Sequence, residues 1–263
     1  MRVVSWNLWW RFGGRWRERQ ARIISMLEGL QPDVAGLQEV WGGEGTSQAE
    51  VLADRLGMHF AFAAPSLPPL PVPSESPDQN GIEVGVAVLS RWPIMQLQQQ
   101  RLPSVNRARP VALMATIDHP QAPLHVISTC VEWEPDFAED HLPQTKALAA
   151  LLVNAALDGP LPVLLTADLN APPESHEVRA LTDVMVDTWT AGGGDPRGVT
   201  LSTKNSFAPR QAWRQINQRI DYVLARPGTA GNRVSVQRAF VADAPIDGMH
   251  PSDHYAVVAD LTL

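Results

Sequence analysis

Polar clusters stand beside short apolar runs at both ends of this chain, and that arrangement constrains the fold more than any other feature. Near the start, Val3-Val4 leads into Ser5-Trp6-Asn7; near the end, His250-Pro251-Ser252-Asp253-His254 precedes the apolar run Ala256 to Leu261. Between them lie Leu37-Gln38-Glu39-Val40, Ala167-Asp168-Leu169-Asn170 and Arg219-Ile220-Asp221-Tyr222. If these clusters share one site, both ends must fold into it, which predicts a single domain over residues 1–263. With 263 residues and 44% hydrophobic content the chain is able to bury one sizeable core.

The elements follow from period and punctuation. Val3 to Trp6 reads as a buried strand, and Arg15 to Leu30 as a helix with Ile23, Ile24, Leu27 and Leu30 at helical spacing, stopped by Pro32. Val34 to Leu37 reads as a strand with Glu39 at its end, and Ser47 as the cap of a helix running to Leu56. Six prolines between Pro65 and Pro77 predict a surface loop outside any sheet. Further strands are expected at Ile82 to Leu89, Val111 to Ile117, Leu124 to Thr129, Pro162 to Thr166, Ile220 to Leu224, Val234 to Val241 and Ala256 to Leu261. Helices are expected over His141 to Leu157 and Glu177 to Leu181. Strands with only scattered helices favour mixed sheets, and two such sheets packed face to face with helices outside would fit.

The clusters carry oxygen-rich chemistry. Glu39 is a metal-ligand candidate, because hard cations such as Mg²⁺ or Mn²⁺ prefer oxygen ligands, although glutamates at strand ends are common on plain surfaces. Asn7 reads either as a turn residue or as a member of the same site. Asp168 and Asn170 lie two apart, so an extended segment would project both to one side; an Asx turn before Pro172-Pro173 is the other reading. Asp221 and Asp253 offer carboxylates for the imidazole of His254.

In this order the clusters resemble those of the endonuclease/exonuclease/phosphatase superfamily, the DNase I-like hydrolases of phosphodiesters and phosphomonoesters, over nearly the whole chain. The resemblance implies a four-layer α/β sandwich and a divalent-metal-dependent phosphoric ester hydrolase, above all a phosphodiesterase, working by direct in-line attack of water. It implies metal binding by Asn7, Glu39 and Asp253, and catalysis by Asp168, Asn170, Asp221 and His254, with Asn170 also contacting phosphate. Arg219 is expected to support the fold around Asp221. Two departures stand out. Where many relatives have Thr-His, this chain reads Thr129-Cys130, with Cys130 expected to be a buried packing residue and His141 a substitute on the substrate. Trp9 occupies a position where some DNA-repair relatives carry a metal-ligating Asp. The missing histidine also leaves open a weakened member that binds a phosphorylated ligand or a protein.

Charge and composition narrow the partner. A net charge of −7 makes long nucleic acid a less comfortable substrate than a small or lipid phosphate ester, because duplex binding depends on Lys and Arg at the phosphates. Arg101, Arg107 and Arg109 read as a phosphate-binding edge or as a solvated turn. Nine tryptophans are many, and Trp9, Trp10, Trp41 and Trp133 lie close in sequence to the clusters, either as an aromatic rim or as packing. One cysteine excludes an intramolecular disulfide. No apolar run approaches the roughly 20 residues of a membrane span, and the absence of a leader-like N-terminus makes a cytoplasmic location the expectation.

Overall fold

The computed structural model describes residues 1–105, 109–210, 212, 215–230 and 233–263. Among the described residues the strands are β1 (Arg2–Asn7), β2 (Val34–Gly43), β3 (Thr46–Ser47), β4 (His59–Ala63), β5 (Ile82–Ser90), β6 (Ile94–Arg101), β7 (Val111–Ile117), β8 (Leu124–Cys130), β9 (Val163–Asp168), β10 (Val186–Asp187), β11 (Asp221–Arg226), β12 (Ser235–Ala242) and β13 (Ala256–Thr262). The α-helices are α1 (Trp16–Leu30), α2 (Gln48–Leu56), α3 (Ala138–Leu152), α4 (His176–Thr182) and α5 (Thr188–Ala191).

The strands form two sheets, one in the order β12-β13-β1-β2-β5-β4 with β3 paired to β2, the other β10-β11-β9-β8-β7-β6. Both are mixed: β1 runs parallel to β2 and β8 parallel to β9, while their other pairings are antiparallel. Side chains alternate across each strand, and the burial follows. Val3 of β1 packs with Val86, Leu113, Leu164 and Val223 between the sheets, whereas Val4 and Trp6 pack outward with Ile23 and Leu27 of α1 and Leu52 of α2. On the second sheet, Leu165 and Leu224 face outward to Leu148 of α3 and Leu181 of α4. The result is the expected four-layer α/β sandwich.

Local signals explain most elements. Ser47 accepts a hydrogen bond from the Glu50 N–H (3.1 Å) and caps α2 as expected. The proline-rich segment is a loop, but not only a surface one: Leu67 is buried in the inter-sheet core and the Ser66 N–H donates to the Val84 carbonyl at 2.7 Å. β6, with the sequence IMQLQQQR, and β4 lack the apolar alternation that marks strands. Each is an edge of its sheet. Among the described residues no helix is long and apolar enough to cross a membrane.

Candidate active site

The topology sends every polar cluster to one end of the sandwich. The parallel strands β1 and β2 bring Asn7 and Glu39 there, and the parallel strands β8 and β9 bring Cys130 and Asp168. β11 and β13 run the other way, so it is their beginnings, Asp221 and the turn carrying Asp253 and His254, that reach the same mouth. Asp221 lies directly opposite Asp168 in the ladder. Ligand sites form at strand ends of this kind in open α/β sheets.

Glu39 does not end its strand. β2 continues to Gly43, and Glu39 sits in a register irregularity between Leu37 and Val40 at φ 51°. A bulge of this kind re-aims a side chain, here toward Asn7. Beneath it the sheets approach closely: a Cβ on Gly36 would stand 1.7 Å from Thr166 Oγ1, so only glycine fits. Gln38 Nε2 donates to Ser128 Oγ (3.3 Å), and Ser128 Oγ to the Leu37 carbonyl (3.2 Å), tying the sheets together under the site.

Asn7 is the hub. Its Nδ2 donates both to Glu39 Oε1 (2.8 Å) and to Asp168 Oδ2 (2.9 Å), while its Oδ1 accepts the Trp9 N–H (2.9 Å). Two acceptors on one side and a donor on the other fix the orientation of the carboxamide. Asn7 therefore presents its N–H groups to both carboxylates and spaces them. The second group is the dyad. His254 Nδ1 lies 2.9 Å from Asp221 Oδ2, with Asp221 fully buried and His254 nearly so. Trp6 Nε1 donates to the His254 carbonyl (3.0 Å), and Ser252 Oγ donates to the Asn7 carbonyl (2.7 Å), binding the last turn to the first strand.

The electrostatics are those of a charge-poor solvent holding too many acids. Burial and then neighbouring Asp253 push the Glu39 carboxyl up to about 8. Burial and then Asp221 push Asp168 up to about 7, and burial raises Asp253. For His254 burial works downward, but Asp221 and Asp253 outweigh it and hold the imidazole well above its usual value. Asp168, Asp221 and His254 offer ligand atoms within 4.8 Å of one another. Glu39 and Asp253 add two further carboxyls within electrostatic reach of this group.

Of the other residues singled out by the sequence, some lie as expected and some do not. Asn170 is not in an extended segment beside Asp168. It lies past the end of β9 at φ 49°, its N–H donating to Asp168 Oδ1 (3.0 Å), so the Asx turn is what forms. Its Nδ2 donates to the Val131 carbonyl (3.1 Å). His141, on α3, places Nε2 2.7 Å from the Leu169 carbonyl and so backs the loop carrying Asn170. Trp10 and Trp41 are buried with Ile82 and Val84 and form no rim, whereas Trp9 is half-buried and Trp133 is 37% exposed. Cys130 is buried against Asp168, which, after burial itself, raises its thiol pKa well above the usual value; it is a packing residue. Arg219 pairs with Asp187 (2.7 Å) and lies over the Tyr222 ring at 4.4 Å, supporting the strand that carries Asp221. Arg101 donates to the carbonyls of Pro65 and Arg109. Arg107 lies outside the described residues.

Two supporting residues were not legible as such. Asn205 Nδ2 donates to the carbonyls of Ser252 (2.8 Å) and Asp253 (3.0 Å), shaping the turn that carries Asp253 and His254 from a distant loop. Arg19 is fully buried and donates to the carbonyls of Leu8, Trp9, Trp10, Phe12 and Pro251, clamping the first loop to the last. In sequence, Asn205 is one more loop asparagine and Arg19 one of several arginines along a helix.

A two-sheet α/β sandwich with an acidic, imidazole-bearing cleft at one mouth defines a narrow class of proteins. The chain belongs to the Endonuclease/Exonuclease/phosphatase family, whose sequence profile matches residues 4–254. Among solved structures it is similar to an endonuclease/exonuclease/phosphatase from Beutenbergia cavernae DSM 12333 (24% identity, covering 100% of this chain and 71% of that one, TM-score 0.74). It is similar also to the mannosyl-6-phosphatase Bt3783 of Bacteroides thetaiotaomicron VPI-5482 (15% identity, 100% of both chains, TM-score 0.75). A third is D. rerio TDP2 complexed with single strand DNA product (17% identity, 100% of this chain and 99% of that one, TM-score 0.74). A search of curated proteins finds no match.

Proposed function

We propose that the protein is a divalent-cation-dependent phosphoric ester hydrolase that cleaves phosphodiesters by direct in-line attack of water. The observation that carries this is the Asn7 hub, which holds Glu39 and Asp168 on one amide beside the Asp221–His254 dyad. Membership of the family supports the reaction class.

The residues fit a hard cation. Asp221 Oδ1 is buried without a hydrogen-bond partner, and the carboxyls of Glu39, Asp168 and Asp253 are raised by burial with like charges nearby. Glu39 and Asp253 would hold Mg²⁺ or Mn²⁺, with Asn7 orienting Glu39. When bound, the cation would neutralise charge on a nonbridging phosphate oxygen. Asp168, poised near neutrality, would orient the attacking water and take its proton as the water oxygen bonds to phosphorus and the ester P–O bond breaks, the departing oxygen keeping the bonding pair and taking a proton from solvent. The protonated His254, kept so by Asp221, would present Nε2–H to the charge developing on phosphate. Asn170 would help to shape the phosphate pocket, with His141 behind it. The whole chain would act as one domain, a reading supported by β1 pairing with β13. With a net charge of −7, small or lipid-borne diesters are favoured over long nucleic acid.

The test is hydrolysis of bis(p-nitrophenyl) phosphate with Mg²⁺, Mn²⁺ or EDTA, in the wild type and in His254→Ala. Cation-dependent turnover that falls by about two orders of magnitude or more in the variant is expected. No turnover with any cation, or full turnover in His254→Ala, would overturn the reading.

A further inference from the structure

Trp9 stands two residues beyond Asn7 in the left-handed backbone region, at φ 54°. For a bulky residue that is an outlier, and such strain persists only where the surroundings over-determine it. Here they do. The Trp9 N–H is taken by Asn7 Oδ1 and its carbonyl by Arg19 Nη2 (both 2.9 Å). The Arg19 guanidinium lies 4.6 Å from the ring centroid. Gly13, itself at φ 63°, passes so near that a Cβ there would be 2.5 Å from the indole. Phe12 and Phe207 flank the ring at 5.8 and 5.4 Å.

This wall is tied to the polar cluster on two sides. Trp9 hangs on the amide that touches Glu39 and Asp168, and the Phe207 N–H donates to Asn205 Oδ1 (3.0 Å), the residue that shapes the Asp253 turn. Trp9, Phe12 and Phe207 are only half-buried, unlike Trp10 and Trp41, so core packing does not account for the strain. Among the described residues the cation of this wall is Arg19, which is fully buried and spends its N–H groups on backbone carbonyls, so the exposed part of the wall is aromatic.

We propose that Trp9 and Phe207 form a specificity subsite for a planar aromatic substituent, a nucleobase or an aryl group, on the ester oxygen that stays with the phosphate. This rests on the phosphodiesterase reading above. Three diesters sharing a p-nitrophenolate leaving group test it: methyl, phenyl and thymidine-5′ p-nitrophenyl phosphate. We expect kcat/KM for the phenyl or thymidine diester to exceed that for the methyl diester by about tenfold, the scale of one aromatic contact. Trp9→Leu, and independently Phe207→Leu, which leaves the strained backbone alone, should bring that ratio to within about twofold of unity. A ratio taken within one protein is insensitive to the fraction folded. A dominant thymidine diester assigns the subsite to a nucleobase, and a dominant phenyl diester to an aryl group. A flat wild-type ratio, or one unmoved by both variants, would overturn the subsite while cation-dependent methyl diester hydrolysis leaves the enzyme reading standing. Hydrolysis of none of the three would overturn both.

Discussion

The two ends of β1 treat carboxylates in opposite ways. At its start, Arg2 meets Asp260 through hydrogen bonds of 2.7 and 3.0 Å, Arg238 reaches the same group at 2.6 Å, and those bonds hold Asp260 at about 2. At its end, Asn7 meets Glu39 and Asp168, a neutral amide stands where guanidinium groups stood, and burial with like charge pushes the carboxyls to about 8 and about 7. The inter-sheet layer changes with them: Val3, Val34 and Leu164 near the first end give way to Ser5, Gln38, Ser128 and Thr166 near the second. Ion-paired carboxylates gather at one mouth of the sandwich, and buried acids without guanidinium partners at the other. The second arrangement suits a protein that receives a cation there.

The largest expected effect is on pH. Glu39, Asp168 and His254 all have folded pKa values above their unfolded ones, so the native state binds more protons than the unfolded chain between about pH 4 and 8. Native stability with EDTA should therefore be greatest near the unfolded carboxylate values and decline as pH rises through about 7 and about 8, by up to about 1.4 kcal/mol per pH unit for each such group. Asp260 works the other way, its contribution being lost only as pH falls toward about 2. Urea unfolding from pH 4 to 9 reads this directly, and Mg²⁺ or Mn²⁺ should flatten the slope by favouring the ionised carboxylates. Stability that rises with pH in EDTA would break the comparison.

Next in size is Leu164→Ala in the apolar half, which should cost about 2–5 kcal/mol while turnover per folded molecule stays the same. A variant that instead lowers kcat at unchanged stability would show the two ends to be coupled. The smallest is Gly36→Ala between them. Its Cβ would meet both Oγ1 and Cβ of Thr166, at 1.7 and 2.4 Å, so the sheets must part at an expected cost of about 1–3 kcal/mol. A neutral result in thermal unfolding would show that the sheets are held apart more loosely than this contact implies.

Much of this was legible in the chain. The alternation through Val3-Val4-Ser5-Trp6-Asn7, the helical spacing of Ile23, Leu27 and Leu30, and the Ser47 cap are local patterns that packing reinforces. Edge strand β6 was not legible, because a strand exposed over most of its length has no apolar face to alternate. Nor was the true setting of Glu39, since a bulge depends on the partner strand's register and not on the glutamate itself.

By itself, then, the sequence determined the order of the polar clusters and the strands that carry them, because strand and helix periodicities are written into neighbouring residues. Which clusters meet, and with what charge, only the tertiary structure decided. Asn7 reaches Asp168 because two sheets stack with their polar strand ends at one mouth, Asp221 faces His254 because β11 and β13 start there, and the carboxyls rise because they are buried together. Those are properties of distance and burial, which separated residues acquire only when the layers close.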